Sequence, residues 1–116
     1  MNENDCLFCK IVAGEIPADI IFESESVVAF RDINPKAPTH VLMIPKRHIA
    51  TINEIAEADK DTVGDLFLVA AKIAADEVLA DDGYRVVMNC NAAAGQTVFH
   101  IHLHLLAGRQ LTWPPG

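Results

Sequence analysis

Nothing in this 116-residue sequence is apolar for long enough to cross a bilayer as a helix, which takes about 18 consecutive apolar residues. The N-terminus carries no basic stretch followed by an apolar segment, so no secretory signal is read there. Cysteine is scarce and odd in number. Three residues argue against a disulfide framework and for a reducing compartment, so a cytoplasmic address is expected. Basic residues are few: nine against sixteen acidic, for a net charge of −7. That field repels long nucleic acids and anionic membranes, and partners of those kinds are not expected. A small phosphorylated ligand survives the exclusion, because backbone dipoles and a few local groups can hold one. Internal repeats and low-complexity segments are absent too, and residues 1–116 are read as a single domain.

What is present is ordinary globular composition, 51% apolar and 22% charged, in a chain long enough to bury a real core. "CLFCKIVAGEIP" reads as a short helix with Phe8, Ile11 and Val12 on one side, ended by Gly14 and Pro17. "DIIFESESVVAFRD" reads as two strands joined by a Ser-Glu-Ser turn, and "INPKAPT" as a loop fixed by two prolines. In the strand "HVLMIP", His40, Leu42 and Ile44 share one face and Val41 and Met43 the other. From Asp59 to Ala80 the apolar period becomes helical, through Val63, Leu66, Phe67, Ala70, Ile73, Ala74 and Val78, with Asp82-Gly83 as the stop. "YRVVMNCN" and "VFHIHLHLL" are read as the last strands, separated by the loop "AAAGQT", and "TWPPG" as an extended tail. The order predicts an α+β fold: an antiparallel sheet of about five strands with one long and one short helix, covered on one face.

The last strand holds the chemistry. At a spacing of two, His100, His102 and His104 line one side, and Phe99, Ile101, Leu103 and Leu105 the other. Neighbours on that side stand about 6.6 Å apart, close enough to serve one site. The three could be solvent-facing polar positions, ligands to a metal, or could include a nucleophilic imidazole. The preceding Gly95-Gln96-Thr97 favours the last: an approachable amide, a carboxamide and a hydroxyl suit a phosphate that gains charge during attack.

Taken together, "GQTVFHIHLHLLAGRQLTWPPG", "FCKIVAGEIPADIIFE", "VAFRDINPKAPTHVLMIPKRH" and "GYRVVMN" resemble the histidine-triad (HIT) superfamily along nearly the whole chain. The Trp-Pro-Pro-Gly ending resembles its nucleotide-binding branch of purine nucleoside phosphoramidases. The resemblance implies a HIT-like fold with the sheet extended across a homodimer. It implies hydrolysis of nucleoside 5′-phosphoramidates, such as AMP joined to ammonia or lysine, through a nucleotidyl-histidine on His102. His104 would then bond the phosphate or the bridging atom, and His40 would complete the network. Asn89, Gly95, Gln96 and Thr97 would surround the phosphate, with Thr97 standing where serine is common. Asp32 would take both ribose hydroxyls, and Phe8, Ile11 and Ile33 would sandwich the purine. Trp113 would reach toward the partner subunit's site.

"CLFC" alone is weak evidence for a metal. In family members with this pair it belongs to a zinc site, and the resemblance implies structural zinc on Cys6, Cys9, His48 and His100. The nucleotide-binding branch often lacks these cysteines, so the sequence combines features of two groups. Cys90 is read as a buried thiol. Two other functions use the same residues: a nucleotide-binding regulatory or scaffold protein, and a dinucleoside polyphosphate hydrolase.

Overall fold

The computed structural model describes residues 5–116; the first four residues of the expected 1–116 domain lie outside the described residues. The first helix, α1 (Leu7–Val12), starts at Cys6, whose sulfur accepts the Cys9 N–H at 3.3 Å, and it turns Phe8 and Ile11 inward. Strands β1 (Ile20–Glu23) and β2 (Val27–Arg31) form the expected hairpin. Ser24 makes its turn: its N–H donates to the Val27 carbonyl at 2.9 Å, and its hydroxyl accepts from the Ser26 and Val27 amides. Strand β3 (Thr39–Pro45), the long helix α2 (Lys60–Asp76), and strands β4 (Arg85–Val87) and β5 (Leu103–Ala107) complete the fold. Every pairing in the sheet is antiparallel, in the order β1-β2-β3-β5-β4.

The period-two pattern sorts the core onto two faces. Val27, Ala29, Val41, Met43, Leu103 and Leu105 pack against Leu66, Val69, Ala70 and Ile73 of α2. Val28, Phe30, Leu42 and Ile44 point the other way and pack against Cys6, Phe8 and Ile11. The sheet is therefore covered on both faces, not one: α1 and its flanks close part of the second. Among the described residues no helix is long and apolar enough to cross a membrane.

Three elements are shorter than the pattern predicts, each for a physical reason. β5 begins at Leu103 rather than Val98. Met43 pairs with Leu103, so the same register would set Ile101 opposite Pro45, which has no N–H to extend the ladder. The Ile101 amide bonds the Ile49 carbonyl instead, at 2.7 Å. β4 loses its partner in consequence: Val87 pairs with His104, and the chain then turns away at Asn91 (φ 68°). Helix α2 ends at Asp76, before Ala80. Leu79 N–H reaches back to Ala74 O (2.8 Å) and Val78 N–H to Ala75 O (3.2 Å), the paired bonds of a Schellman motif. Val78, rather than a glycine, takes the left-handed position (φ 60°), and it is exposed. Phe67 is likewise half exposed, and Val69, which the expected stripe left out, is buried in the core.

Candidate active site

His100 and His102 sit on the irregular stretch before β5, and His104 on β5 itself, yet the three rings stay on the α1 side of the sheet. The strand below their alternates is apolar: Ile101, Leu103 and Leu105 are buried against α2. His102 Nδ1 lies 2.8 Å from the His100 carbonyl oxygen. A carbonyl only accepts, so Nδ1 carries the proton and Nε2 keeps its lone pair. Burial pulls the His102 pKa below its ordinary value of 6.5, opposed by that hydrogen bond and by the Asp32 charge. The ring is therefore neutral at physiological pH, with Nε2 as its nucleophilic atom. Phe8 stands edge-on to it, ring centroids 5.1 Å apart.

A second chain of bonds fixes the neighbouring histidines. The Lys36 amide donates to His40 Nδ1 at 3.0 Å. Neutral His40 must then carry its proton on Nε2, which lies 2.9 Å from His104 Nδ1 and 3.4 Å from Asp32 Oδ2. His104 accepts at Nδ1 and keeps its proton on Nε2. Burial lowers both pKa values; His104 falls to about 4, with the nearby His102 and His40 adding to the effect.

These rings open onto a pocket of about 290 Å³. Phe8, Ile11, Ile33, Asp32, Thr97, His102 and His104 line it, as does Leu42, which shares a strand face with His40. Ile33 stands at the rim, almost wholly exposed, whereas Phe8 and Ile11 are buried wall. Leu7, Ile16, Pro17, Ala18, Phe30, Arg31 and Val98 complete the lining and were not singled out from the sequence. Phe30 was within reach of period-two reasoning on β2. The loop residues gave no periodic signal.

Four expected site residues lie off the lining: His40, which meets it only through its 2.9 Å contact with His104, and Asn89, Gly95 and Gln96. Asn89 is half-buried beyond β4, where continued β4–β5 register would set it opposite His102. Gly95 occupies the left-handed region (φ 96°), closing a short turn. Gln96 is buried, and its carboxamide is committed to the backbone: Oε1 accepts from the Asn91 amide (2.8 Å), and Nε2 donates to Ala50 O (2.8 Å) and Val98 O (3.1 Å). Stripping such a buried group of a partner costs about 1–3 kcal/mol. Gln96 therefore braces the loop on which Thr97 sits.

Beside the pocket, Cys6, Cys9, His48 and His100 bring one ligand atom each to within 4.8 Å of one another. The Cys6 and Cys9 sulfurs lie 3.4 and 3.5 Å from His100 Nδ1, and the Cys9 sulfur lies 3.3 Å from His48 Nδ1. His100 Nε2 donates to the Pro45 carbonyl at 2.7 Å, which leaves Nδ1 unprotonated and aimed at the thiols. Burial holds His100 down to about 4, so the ring is neutral, as a ligand must be. The donor set fits a tetrahedral metal ion. Arg47, beside His48, forms an ion pair with buried Asp59, which also accepts the Ala56 amide and so ties this segment to the start of α2. Asp32, His40 and His104 also lie close enough to hold an ion, but the Lys36 amide keeps a proton on His40 Nε2, which spoils it as a ligand.

The HIT domain model matches residues 13–111. The chain belongs to the HIT domain family. The purine nucleoside phosphoramidase of Escherichia coli K12 is 50% identical over 107 residues, covering 92% of this chain and 90% of that protein. A HIT family hydrolase from Legionella pneumophila Philadelphia 1 superimposes with a TM-score of 0.95 at 56% identity, covering 97% of this chain and 100% of that one. A zinc-bound histidine triad family protein from Mycobacterium smegmatis does so with a TM-score of 0.81 at 37% identity, covering 93% and 78%. This HIT protein is, like the first two of these relatives, an enzyme of the hydrolase kind.

The depressed histidines set the pH dependence of this HIT domain. His104 binds its proton near 6.5 when unfolded and only near 4 when folded. Its contribution to stability is therefore complete above pH 6.5 and is lost as the pH falls toward 4, with His102 and His40 acting in the same direction. Denaturant midpoints measured from pH 7.5 downward are expected to drop across that window, and less steeply in His104→Gln. A flat profile there would contradict the burial of these rings.

Proposed function

We propose that this chain is a purine nucleoside phosphoramidase that cleaves the P–N bond of nucleoside 5′-phosphoramidates, such as AMP joined to lysine or ammonia. The observation that carries the reading is His102: Nδ1 tied to the His100 carbonyl, leaving a neutral ring with Nε2 unprotonated in a pocket of nucleoside size. Nε2 attacks the α-phosphorus, and a histidine–phosphorus bond forms as the P–N bond breaks. The amine leaves with a proton drawn from solvent. Water then attacks the phosphorus, returns a proton to solvent, and releases the nucleoside monophosphate and neutral His102.

The other residues bind and orient. Nε2–H of His104 donates to the phosphoryl group, and His40 holds that ring. Asp32 accepts the ribose hydroxyls, Phe8 and Ile11 flank the purine with Ile33 at the rim, and Thr97, Gly95 and Asn89 stand around the phosphate. Gln96 braces that loop rather than spending its carboxamide on the substrate.

We assign zinc to Cys6, Cys9, His48 and His100, supported by the donor chemistry and by the zinc-bound relative. Zinc there would tie α1, which walls the pocket, to the segment that carries His102. The proposal includes a homodimer that extends the sheet, with exposed Trp113 near the partner, and a cytoplasmic address.

His102→Asn is expected to lower turnover of adenosine 5′-phosphoramidate roughly 10⁴-fold while AMP affinity stays within a few-fold. A wild-type protein that binds AMP but does not cleave this substrate would contradict the enzyme reading and favour a binding role. Elemental analysis should find one zinc per chain, lost in Cys9→Ala. Protein grown with added zinc and purified without any would contradict the metal assignment.

A further inference from the structure

Among the groups left unused by this mechanism is an arginine just past β5. Arg109 is exposed and holds a main-chain atom: Nε and Nη2 donate to the Lys36 carbonyl at 3.2 and 3.1 Å, and Nη1 donates to the Gln110 carbonyl at 3.1 Å. Lys36 is the residue whose amide bonds His40 Nδ1. Its loop is stiff, with Pro35 and Pro38 on either side, and is pressed from beneath by Gly108. There φ is +93°, and an added Cβ would come within 2.9 Å of the Pro38 Cβ. Gly108-Arg109 thus seats the 35–38 loop from two directions.

The seat matters because a backbone amide can only donate. Facing His40 Nδ1, it confines neutral His40 to one tautomer, with the proton on Nε2, where the Asp32 carboxylate 3.4 Å away also favours it. That proton is given to His104 Nδ1, so His104 presents Nε2–H to the pocket it lines. If Lys36 N–H moved away, His40 could carry its proton on Nδ1 and accept at Nε2. His104 would then donate from Nδ1 and offer a lone pair to the pocket. A donor stabilises an anionic phosphoryl group and a lone pair repels it, so the tautomer of His40, two rings away, decides the sign of the field at the phosphate.

We propose that Arg109 is a positioning residue: by holding the Lys36 carbonyl it keeps the Lys36 amide on His40 and so keeps His104 a donor to the phosphoryl group. The inference rests on the phosphoramidase reading for its catalytic consequence, but tautomer and phosphate affinity can be read without turnover. In Arg109→Ala, ring ¹⁵N spectra should show His40 changing from one Nε2–H tautomer to a mixture. AMP affinity and kcat should each fall about tenfold. The loss in kcat should be equal for alkylamine and arylamine leaving groups, because the phosphoryl charge is what is left unsupported. Arg109→Lys, which keeps one donor, should recover part of both, and Gly108→Ala should disturb the same tautomer from the other side of the loop. An unchanged His40 tautomer in Arg109→Ala overturns the inference whatever the activity does. A mixed tautomer with unaltered AMP affinity overturns the link to the phosphate, as does a loss of kcat confined to alkylamines. Should wild-type protein cleave no phosphoramidate, the enzyme reading fails, while tautomer and AMP affinity still decide this one.

Discussion

His100 is bonded at three points, and the rest of the site depends on them. Its ring nitrogen Nδ1 faces the two thiols and its Nε2 donates to the Pro45 carbonyl. Its main-chain carbonyl holds the Nδ1 proton of His102. A buried imidazole without partners would be a liability of a few kcal/mol; with all three it becomes the fixed point from which the His102 ring is aimed. The side chain that completes the cysteine–histidine cluster and the carbonyl that sets the tautomer of His102 belong to one residue. Displacing either displaces both.

That arrangement requires the chain to leave the sheet before His102. In a continued strand, main-chain carbonyls would alternate into ladder bonds; the His100 carbonyl instead turns to a side chain. Pro45 ends the ladder, and the segment 45–50 then takes over as a scaffold. It accepts from the His100 ring at Pro45, from the Ile101 amide at Ile49 and from Gln96 at Ala50. Arg47 anchors it to buried Asp59 at the start of α2. The pocket wall, the Gly95–Thr97 loop and the ring of the proposed nucleophile, His102, are thus hung on one extended segment rather than on regular secondary structure. Held this way, the reacting atoms keep their geometry without the strand's own hydrogen bonds.

Much of this was legible in the sequence, and the remainder was hidden for identifiable reasons. Period two in "HVLMIP" and "HIHLHLL" separated Val41, Met43, Ile101 and Leu103 from His40, Leu42 and the three histidines, and the sheet sorts them so. The sheet's order and antiparallel pairing agree with the expected fold class. The four residues expected to hold a metal do converge. The true start of β5 depended on knowing that Pro45 falls opposite Ile101, a fact of register that one strand cannot show alone. Helix α2 stopped early because Val78 accepted a backbone conformation that sequence rules reserve for glycine. Gln96, polar between Gly95 and Thr97, was expected to face a phosphate; only its three backbone partners show that the carboxamide braces the loop. The least legible feature is the Lys36 amide, since every residue but proline has one and nothing in a side chain says where it points.

The proposed mechanism depends on the protonation of one ring, and ¹⁵N-detected histidine spectra of the free protein measure it directly. At neutral pH, His102 should be a neutral imidazole protonated on Nδ1, with an unprotonated Nε2 whose resonance shifts on addition of AMP. A His102 that is cationic at that pH, or that carries its proton on Nε2, would have no lone pair to offer phosphorus and would contradict the mechanism built on it.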